Sequence, residues 1–273
     1  MNILIAFLIV LAIAVALGVL LLLFSHFFMV PSNPLAKKVR ECLPGINCGA
    51  CGYKGCDDYA AAVADGLAKP NLCIPGSTGV ANEISSIMGV EAEEFEHKVA
   101  YTACNGHCNA TDHIAEYDGI PTCQAASMLY GGPNSCRFGC LGFGDCAAAC
   151  PTGAICMSNG IARIDASHCI GCGLCSRTCP KGIISMIPQH TKTILFCSNT
   201  QKGADARKAC ENACIGCRKC TKVCPNDAIA VENNLARIDY TKCTNCGACV
   251  KECPTGCLKT VLFPERAEDT QIQ

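Results

Sequence analysis

Residues 243–254 read CTNCGACVKECP and follow the pattern Cys-x2-Cys-x2-Cys-x3-Cys-Pro. The pattern occurs three times, and a looser version that also ends in proline occurs once. Three thiolates this closely spaced can hold one inorganic cluster, while the fourth, followed by proline, serves a neighbouring cluster. The chain is therefore predicted to bind iron–sulfur clusters. The strict runs place cysteines at Cys169, Cys172, Cys175, Cys179; at Cys214, Cys217, Cys220, Cys224; and at Cys243, Cys246, Cys249, Cys253, and the looser run places them at Cys136, Cys140, Cys146, Cys150.

The composition fits a metal scaffold better than a large apolar core. The chain has 28 cysteines in 273 residues, no tryptophan and only 5% aromatic residues. Such a cysteine density indicates disulfides in an oxidising compartment and metal in a reducing one. No phosphate-binding GxxxxGK[ST] loop and no GxGxxG fingerprint after a strand is present, so nucleotide binding is not indicated. The net charge is −1 and the basic residues lack interleaved aromatics, so nucleic acid is not an expected partner.

The N-terminus predicts a membrane anchor. Residues 3–24 are apolar and uncharged, which makes roughly 33 Å of helix at 1.5 Å per residue. A cleaved signal peptide is the alternative, but it would have a basic start and a shorter apolar core. The first basic residues, Lys37, Lys38 and Arg40, follow the segment. The positive-inside rule then predicts a single-pass protein of the inner (cytoplasmic) membrane, with its soluble part in the cytoplasm.

A repeat of 74 residues organises the second half of the chain, since Cys169–Cys179 recurs as Cys243–Cys253. Asn159-Gly160 and, one repeat later, Asn233-Asn234 predict hairpin turns. The predicted fold class is α+β, a transmembrane helix and a small helical 4Fe–4S domain followed by tandem ferredoxin-like modules. The expected boundaries are an anchor 1–30, the small domain 31–80, a connecting segment 81–134 with extra cysteines, a module 135–190, a linker 191–208, a module 209–263 and a tail 264–273.

If the fourth cysteine of each run binds the neighbouring cluster of the same module, the two modules contain four ligand sets. In the first module Phe143 stands where the second has Cys217, so Cys136 is expected to complete the set there. Cys210, the repeat equivalent of Cys136, is then spare. The predicted sets are Cys136, Cys140, Cys146, Cys179; Cys169, Cys172, Cys175, Cys150; Cys214, Cys217, Cys220, Cys253; and Cys243, Cys246, Cys249, Cys224.

A fifth set lies before the modules, at Cys48, Cys51, Cys56 and Cys73. Zinc in an all-cysteine site is the alternative there, because spacing alone does not separate zinc from iron–sulfur clusters. The interleaved glycines leave room for a cluster and expose backbone N–H groups to its sulfurs, which favours [4Fe–4S]. An Ala-rich helix is expected over residues 57–68.

Five [4Fe–4S] clusters are thus predicted, and eight cysteines remain. Cys104 and Cys108 together with Cys123 supply three-quarters of a further site, so a sixth cluster with a distant fourth ligand stays open. Buried or free thiols are the alternative. The remaining cysteines are Cys42, Cys104, Cys108, Cys123, Cys156, Cys197, Cys210 and Cys257.

The order of anchor, small cysteine segment and tandem modules resembles the B subunits of Rnf ion-translocating ferredoxin:NAD⁺ oxidoreductase complexes, in the long form with two modules. The resemblance covers essentially the whole chain and is most specific over residues 45–56 and 129–146. It implies a subunit of a translocase-type oxidoreductase without catalytic residues of its own. Such a subunit accepts electrons from reduced ferredoxin and relays them into a membrane complex that exports Na⁺ or H⁺. The flavins and the NAD⁺ site belong to partner subunits.

Two other functions remain open from the sequence. The chain is also compatible with a ferredoxin-like subunit of another membrane oxidoreductase. A relay that keeps a redox-sensing transcription factor reduced is the second, and the extra modules argue against it because they favour electron flux over signalling.

Overall fold

The N-terminal helix is long and apolar. The computed structural model describes residues 2–27, 33–91 and 97–264. Helix α1 (Asn2–Phe27) contains an 18-residue window, Phe7–Phe24, with a mean hydropathy of 3.3 and none of it buried. By length and composition it could cross a membrane. Residues 28–32, where the expected anchor meets the small domain, and residues 265–273 of the expected tail lie outside the described residues.

A small helical unit follows, and its helices pack around Tyr59 and Ile84, which are almost completely buried. Asn33 caps the first of these helices by accepting a hydrogen bond from the Leu35 amide at 3.0 Å. The helix predicted over 57–68 is present but ends earlier. The last helix packs into the same core, so this unit continues beyond residue 80. The helices are α2 (Pro34–Cys42), α3 (Cys56–Ala64) and α4 (Ser77–Met88).

Each module contains the hairpin that its turn residues predict. Asn159 and Gly160 have φ values of 50° and 78°, and Asn233 and Asn234 have 48° and 61°. Two successive residues with positive φ form the tight turn that matches the twist of antiparallel strands. The hairpin predictions are confirmed. Strand β2 (Ile155–Ser158) pairs with β3 (Ile161–Ile164), and β6 (Ile229–Glu232) pairs with β7 (Leu235–Ile238).

The connecting segment and the linker each contribute a strand to a module. Thr102 pairs with Ile184 at the end of the first module, and Leu195 pairs with Leu258 at the end of the second. These segments are therefore part of the folded modules. The antiparallel pairs are β1 (Lys98–Thr102) with β4 (Ile184–Pro188), and β5 (Thr193–Leu195) with β8 (Leu258–Thr260).

Short helices carry the cysteine runs. The first of them begins at Cys123 and is capped by the Thr122 hydroxyl, which accepts a hydrogen bond from the Ala125 amide at 3.2 Å. It ends at Met128, before Tyr130, whose φ is 50°. The helices are α5 (Cys123–Met128), α6 (Asp145–Ala148), α7 (Leu174–Thr178), α8 (Gly203–Ala209), α9 (Lys219–Lys222) and α10 (Ala248–Lys251).

The two modules pack against each other through their added strands. Val99, Ile187 and Ile194, from β1, β4 and β5, share one buried cluster. Beside it the rings of Tyr101 and Phe196 meet edge to face with centroids 6.1 Å apart. Inside each module the buried residues are mostly cysteine, alanine and isoleucine. The core is therefore built around the cysteines, as the composition predicts.

Candidate iron–sulfur centres

The second module brings its eight predicted ligands into two groups of four. Cys253 joins the first run and Cys224 joins the second, so the exchange that the spacing predicts is present. The space between the thiols, including that open to solvent, is about 320 Å³ in one group and about 360 Å³ in the other. We name the groups site 4 (Cys214, Cys217, Cys220, Cys253) and site 5 (Cys224, Cys243, Cys246, Cys249).

Left-handed backbone positions shape these cysteine loops. Gly216 has a φ of 63°, and a side chain there would place its Cβ 2.8 Å from the carbonyl oxygen of Asn234 in the β6–β7 turn. Arg218, with a φ of 57°, then starts helix α9. Only a residue without Cβ allows the loop to approach the hairpin this closely. The loop is thereby held over the hairpin with its cysteines turned towards site 4.

Site 3 repeats this arrangement in the first module. Burial, together with the neighbouring thiols of Cys169, Cys172 and Cys150, raises the pKa of Cys175 to about 11, so the four predicted ligands lie together. The Ala100 amide of β1 donates to the Cys169 sulfur at 3.5 Å. Site 3 consists of Cys150, Cys169, Cys172 and Cys175.

The remaining group of the first module differs from the sequence-based set. Cys140, Cys146 and Cys179 line a cavity together with Cys123, whereas Cys136 does not line it, and the space is about 360 Å³ including that open to solvent. Asp145 explains the position of Cys123, because its carboxylate accepts hydrogen bonds from the backbone amides of Cys123 and Gln124 at 2.8 and 3.0 Å. We name this group site 2 (Cys123, Cys140, Cys146, Cys179).

Phe143 is the sequence signal for this difference. It packs edge to face on Tyr117 with ring centroids 5.4 Å apart, in the same apolar cluster as Cys123. Where the second module has Cys217, the first therefore has an aromatic anchor that holds α5 in place. The missing thiol is supplied from α5, 20 residues earlier in the chain.

Site 1 (Cys48, Cys51, Cys56, Cys73) is built from one tight loop and one buried cysteine. Asn47, with a φ of 50°, accepts a hydrogen bond from the Cys56 amide at 2.8 Å and so closes the loop. Burial, together with the thiols of Cys56, Cys48 and Cys51, raises the pKa of Cys73 to about 11. The four predicted ligands are therefore close neighbours.

The buried thiols of these sites need a cation to ionise. Burial raises the pKa of Cys140 and Cys220 to about 11 and that of Cys146 to about 12. Thiolates are the ligands of iron and zinc, so metal loading must displace these protons. Within the part of the chain that the structure describes, no three His, Cys, Asp or Glu side chains are arranged to hold a bare metal ion. The thiols surround open cavities, and four soft sulfur donors around such a space fit an iron–sulfur cluster.

Site 1 is docked on site 3. Arg177, in the last turn of α7, donates hydrogen bonds to the backbone carbonyls of Cys48 and, at 3.4 Å, of Gly49. Burial raises the pKa of Cys172, and the nearby Cys48 thiol adds to the rise. The small helical unit and the first module therefore face each other through their cysteines.

Eight cysteines lie outside these five groups. Cys108 and Cys156 are exposed, and the Cys42 sulfur contacts the Lys38 carbonyl oxygen at 3.4 Å. Cys257 is buried with its sulfur 3.5 Å from that of Cys253. The other four line a further cavity together with Cys140 of site 2, and they are Cys104, Cys136, Cys197 and Cys210.

Known protein families match the same segments. A family described as "Putative Fe-S cluster" matches residues 43–75, which contain site 1. A "4Fe-4S dicluster domain" matches residues 208–254 and a "4Fe-4S binding domain" matches residues 162–185. These matches place iron–sulfur domains in both modules and in the helical unit.

Relatives match over most of the chain. The B subunit of the proton-translocating ferredoxin:NAD(+) oxidoreductase complex of Clostridium ljungdahlii is 46% identical over 89% of this chain and 87% of its own. The B subunit of the Na(+)-translocating ferredoxin:NAD(+) oxidoreductase complex of Acetobacterium woodii is 41% identical over 83% of this chain and 68% of its own. The B subunit of the ion-translocating oxidoreductase complex of Methanosarcina acetivorans is 40% identical over 84% of this chain and 87% of its own. The apolar helix, the iron–sulfur domains and these identities together show that the chain belongs to the B-subunit family of Rnf-type ion-translocating ferredoxin:NAD⁺ oxidoreductase complexes.

Proposed function

We propose that the chain accepts single electrons from reduced ferredoxin and relays them through its clusters into a membrane complex. Each [4Fe–4S] cluster, when bound, takes up and gives back one electron. The protein supplies the thiolates, the backbone N–H groups directed at sulfur and the spacing between sites. The names of the relatives support ferredoxin as the donor and further subunits as partners.

The docking of site 1 on site 3 is the observation that carries this proposal. Burial raises the pKa of Cys220 in site 4, and the Cys249 thiol of site 5 adds to the rise, so these two sites are neighbours. Within the first module, sites 2 and 3 exchange ligands in the same way. The contacts of Arg177 then extend the series to site 1, which is nearest to α1 in the sequence. Such a series supports entry of electrons at the second module and their exit from site 1.

Five [4Fe–4S] clusters are proposed at sites 1–5. At site 1 the match to an iron–sulfur family and the four soft donors favour a cluster over zinc. The relatives and the apolar helix indicate membrane anchoring. We propose a single span with the modules in the cytoplasm, because Lys37, Lys38 and Arg40 follow α1 directly.

Anaerobic stopped-flow mixing tests the proposal. The full-length chain in detergent, loaded with clusters, is mixed with reduced ferredoxin from which dithionite has been removed, and cluster bleaching is followed by absorbance. Fast, saturable and salt-sensitive bleaching is expected. A fully loaded chain that takes no electrons from ferredoxin would contradict the entry role.

A further inference from the structure

A further cavity lies between the two modules, and besides Cys140 of site 2 it is lined by four cysteines that belong to none of sites 1–5. Its space, about 360 Å³ including that open to solvent, matches that of sites 2 and 5. All four thiols are buried, with residue exposures between 6 and 9%. We name this group the bridging cavity (Cys104, Cys136, Cys197, Cys210).

The four cysteines come from four separate segments. Cys104 follows β1, Cys136 follows α5, Cys197 follows β5 and Cys210 ends α8. No two of them share a Cys-x2-Cys unit, so spacing gives no signal for this group. The sequence instead groups Cys104 with Cys108 and Cys123. The structure separates these three, because Cys108 is exposed and Cys123 lines site 2.

Hydrogen-bond donors are directed at the sulfurs of the bridging cavity. The amides of Gly106 and Asn199 each donate at 3.4 Å, to the sulfurs of Cys104 and Cys197 respectively. The Asn199 side chain, only 1% exposed, directs its Nδ2 to the Cys136 sulfur at 3.7 Å. Buried free thiols that only fill space would pack against apolar neighbours. Convergent N–H donors around an open space are instead the environment of a thiolate-bound cluster.

Glycines let the backbone come close to these sulfurs. A Cβ on Gly106 would lie 3.4 Å from the Cys210 sulfur and 3.5 Å from that of Cys104. A Cβ on Gly139 would lie 3.7 Å from the Cys104 sulfur. The loops around the bridging cavity thus resemble the glycine-containing loops of sites 1 and 4.

Two thiols of the bridging cavity accept hydrogen bonds from the backbone of predicted ligand residues, one in each module. The Cys140 amide of site 2 donates to the Cys104 sulfur at 3.4 Å, and the Cys214 amide of site 4 donates to the Cys197 sulfur at 3.2 Å. The walls are joined across the modules as well, since Asn212 donates to the Asn105 carbonyl oxygen at 2.9 Å. The cavity therefore lies between sites 2 and 4.

We propose that the bridging cavity holds a sixth [4Fe–4S] cluster, bound by these four thiolates, and that this cluster carries electrons between the modules. The metal site stands on the geometry alone, whereas its role as a relay rests on the proposed function. In that role the cluster is reduced by one electron as the cluster of site 4 is oxidised, and it is oxidised in turn as the cluster of site 2 is reduced.

Metal content tests the site without reference to ferredoxin. The anaerobically purified full-length chain is expected to hold about 24 iron and 24 sulfide per chain, since each of six clusters contains four of each. The variant with both Cys136→Ala and Cys210→Ala removes two of the four thiols and is expected to lose about four of each. A matched double variant at exposed positions, Cys108→Ala with Cys156→Ala, is expected to lose none.

Native mass spectrometry of the unaltered chain gives a second measurement that does not depend on how the variants fold. Six clusters are expected, and five in a chain whose sites 1–5 are filled would overturn the proposal. Full iron in the Cys136/Cys210 variant would overturn it as well.

Stopped-flow reduction separates the relay role from the metal site. In the Cys136/Cys210 variant, ferredoxin is expected to bleach the clusters of sites 4 and 5 but to reduce the first module slowly. An unchanged rate of electron transfer to the first module would contradict the relay role but not the presence of the cluster. Failure of ferredoxin to reduce even the unaltered chain would contradict the proposed function and leave the cluster count as it stands.

Discussion

At the scale of single residues, Cys257 is a second difference between sites 2 and 4, after the use of Cys123 in site 2 where site 4 has Cys217. Its buried thiol lies 3.5 Å from the Cys253 sulfur, and hydrogen bonding with Cys257 lowers the pKa of Cys253 and of Cys214. The same contacts raise the pKa of Cys257, which favours the protonated thiol as the donor. The equivalent position in the first module is Ile183, which cannot donate. Site 4 therefore has a donor that site 2 lacks.

The Cys257→Ala variant is expected to make the reduction potential of site 4 more negative without loss of iron. A donor to cluster sulfur stabilises the reduced, more negative state, and alanine removes that donor. An EPR-monitored redox titration measures the shift, and Cys257→Ser, which keeps a donor, is expected to restore much of it. Loss of one cluster would show instead that Cys257 is a ligand.

Cys123, and not Cys136, is expected to be the fourth ligand of site 2. Because Cys123 lines site 2 and Cys136 does not, Cys123→Ala is expected to abolish the EPR signal of one reduced [4Fe–4S] cluster in the first module. The Cys42→Ala variant serves as the control, since Cys42 lies outside every group of four. An unchanged set of signals in the Cys123→Ala variant would return Cys136 to this site.

At the scale of elements, the loop that carries the site 4 cysteines lies close to the β6–β7 hairpin, and this contact restricts which residues the loop can contain. Gly216 and Gly256 have nearly the same φ values, 63° and 60°, in the left-handed region. A Cβ on Gly216 would meet the Asn234 carbonyl oxygen at 2.8 Å, whereas a Cβ on Gly256 would meet nothing within 4 Å. Comparing alanine substitutions at these two positions therefore separates the cost of backbone strain from the cost of steric contact with the hairpin.

Gly256→Ala is expected to cost about 1–2 kcal/mol of unfolding free energy, because alanine is strained in the left-handed region. Gly216→Ala is expected to cost about 1–3 kcal/mol more, because the loop must move off the β6–β7 hairpin. Anaerobic denaturant titration followed by cluster absorbance measures both. Equal losses in the two variants would mean that the loop does not need to approach the hairpin this closely.

At the scale of the whole molecule, cysteine groups form one unbroken series. Sites 5 and 4 are neighbours in the second module, the bridging cavity touches sites 4 and 2, and site 3 faces site 1 through Arg177. The helical unit is thus attached to the modules at the point where electron transfer needs it. Displacing that unit should slow electron transfer to site 1 without loss of a cluster from any site.

Arg177→Ala is expected to slow electron transfer to site 1 and to leave iron content unchanged, because it removes the hydrogen bonds to Cys48 and Gly49. Lys251 occupies the equivalent position of α10 in the second module, so Lys251→Ala is the matched control and is expected to leave this step unchanged. Stopped-flow bleaching of the slowest-reduced cluster measures the effect. Equal rates in both variants would argue against docking by Arg177.

The local parts of this fold follow from the sequence and the long-range parts do not. Cysteine runs and Asn-Gly turns predict sites 4 and 5 and the hairpins because spacing of a few residues fixes which groups can meet. Cys123 reaches site 2 only because Asp145 and Phe143 hold α5 there, and no spacing rule contains such contacts. The bridging cavity joins segments up to 106 residues apart, so only the packing of the modules reveals it.

The bridging cavity also bears on how a chain of this kind could have arisen. Cys136 and Cys210 occupy equivalent positions of the repeat and yet line the same cavity. Duplication of an ancestral gene segment would supply that pair at once. Cys197 is the repeat equivalent of Cys123, which lines site 2, so these two equivalent cysteines line different cavities. With Cys104 from outside the repeat, a junction between two copies could be assembled largely from residues inherited for other purposes.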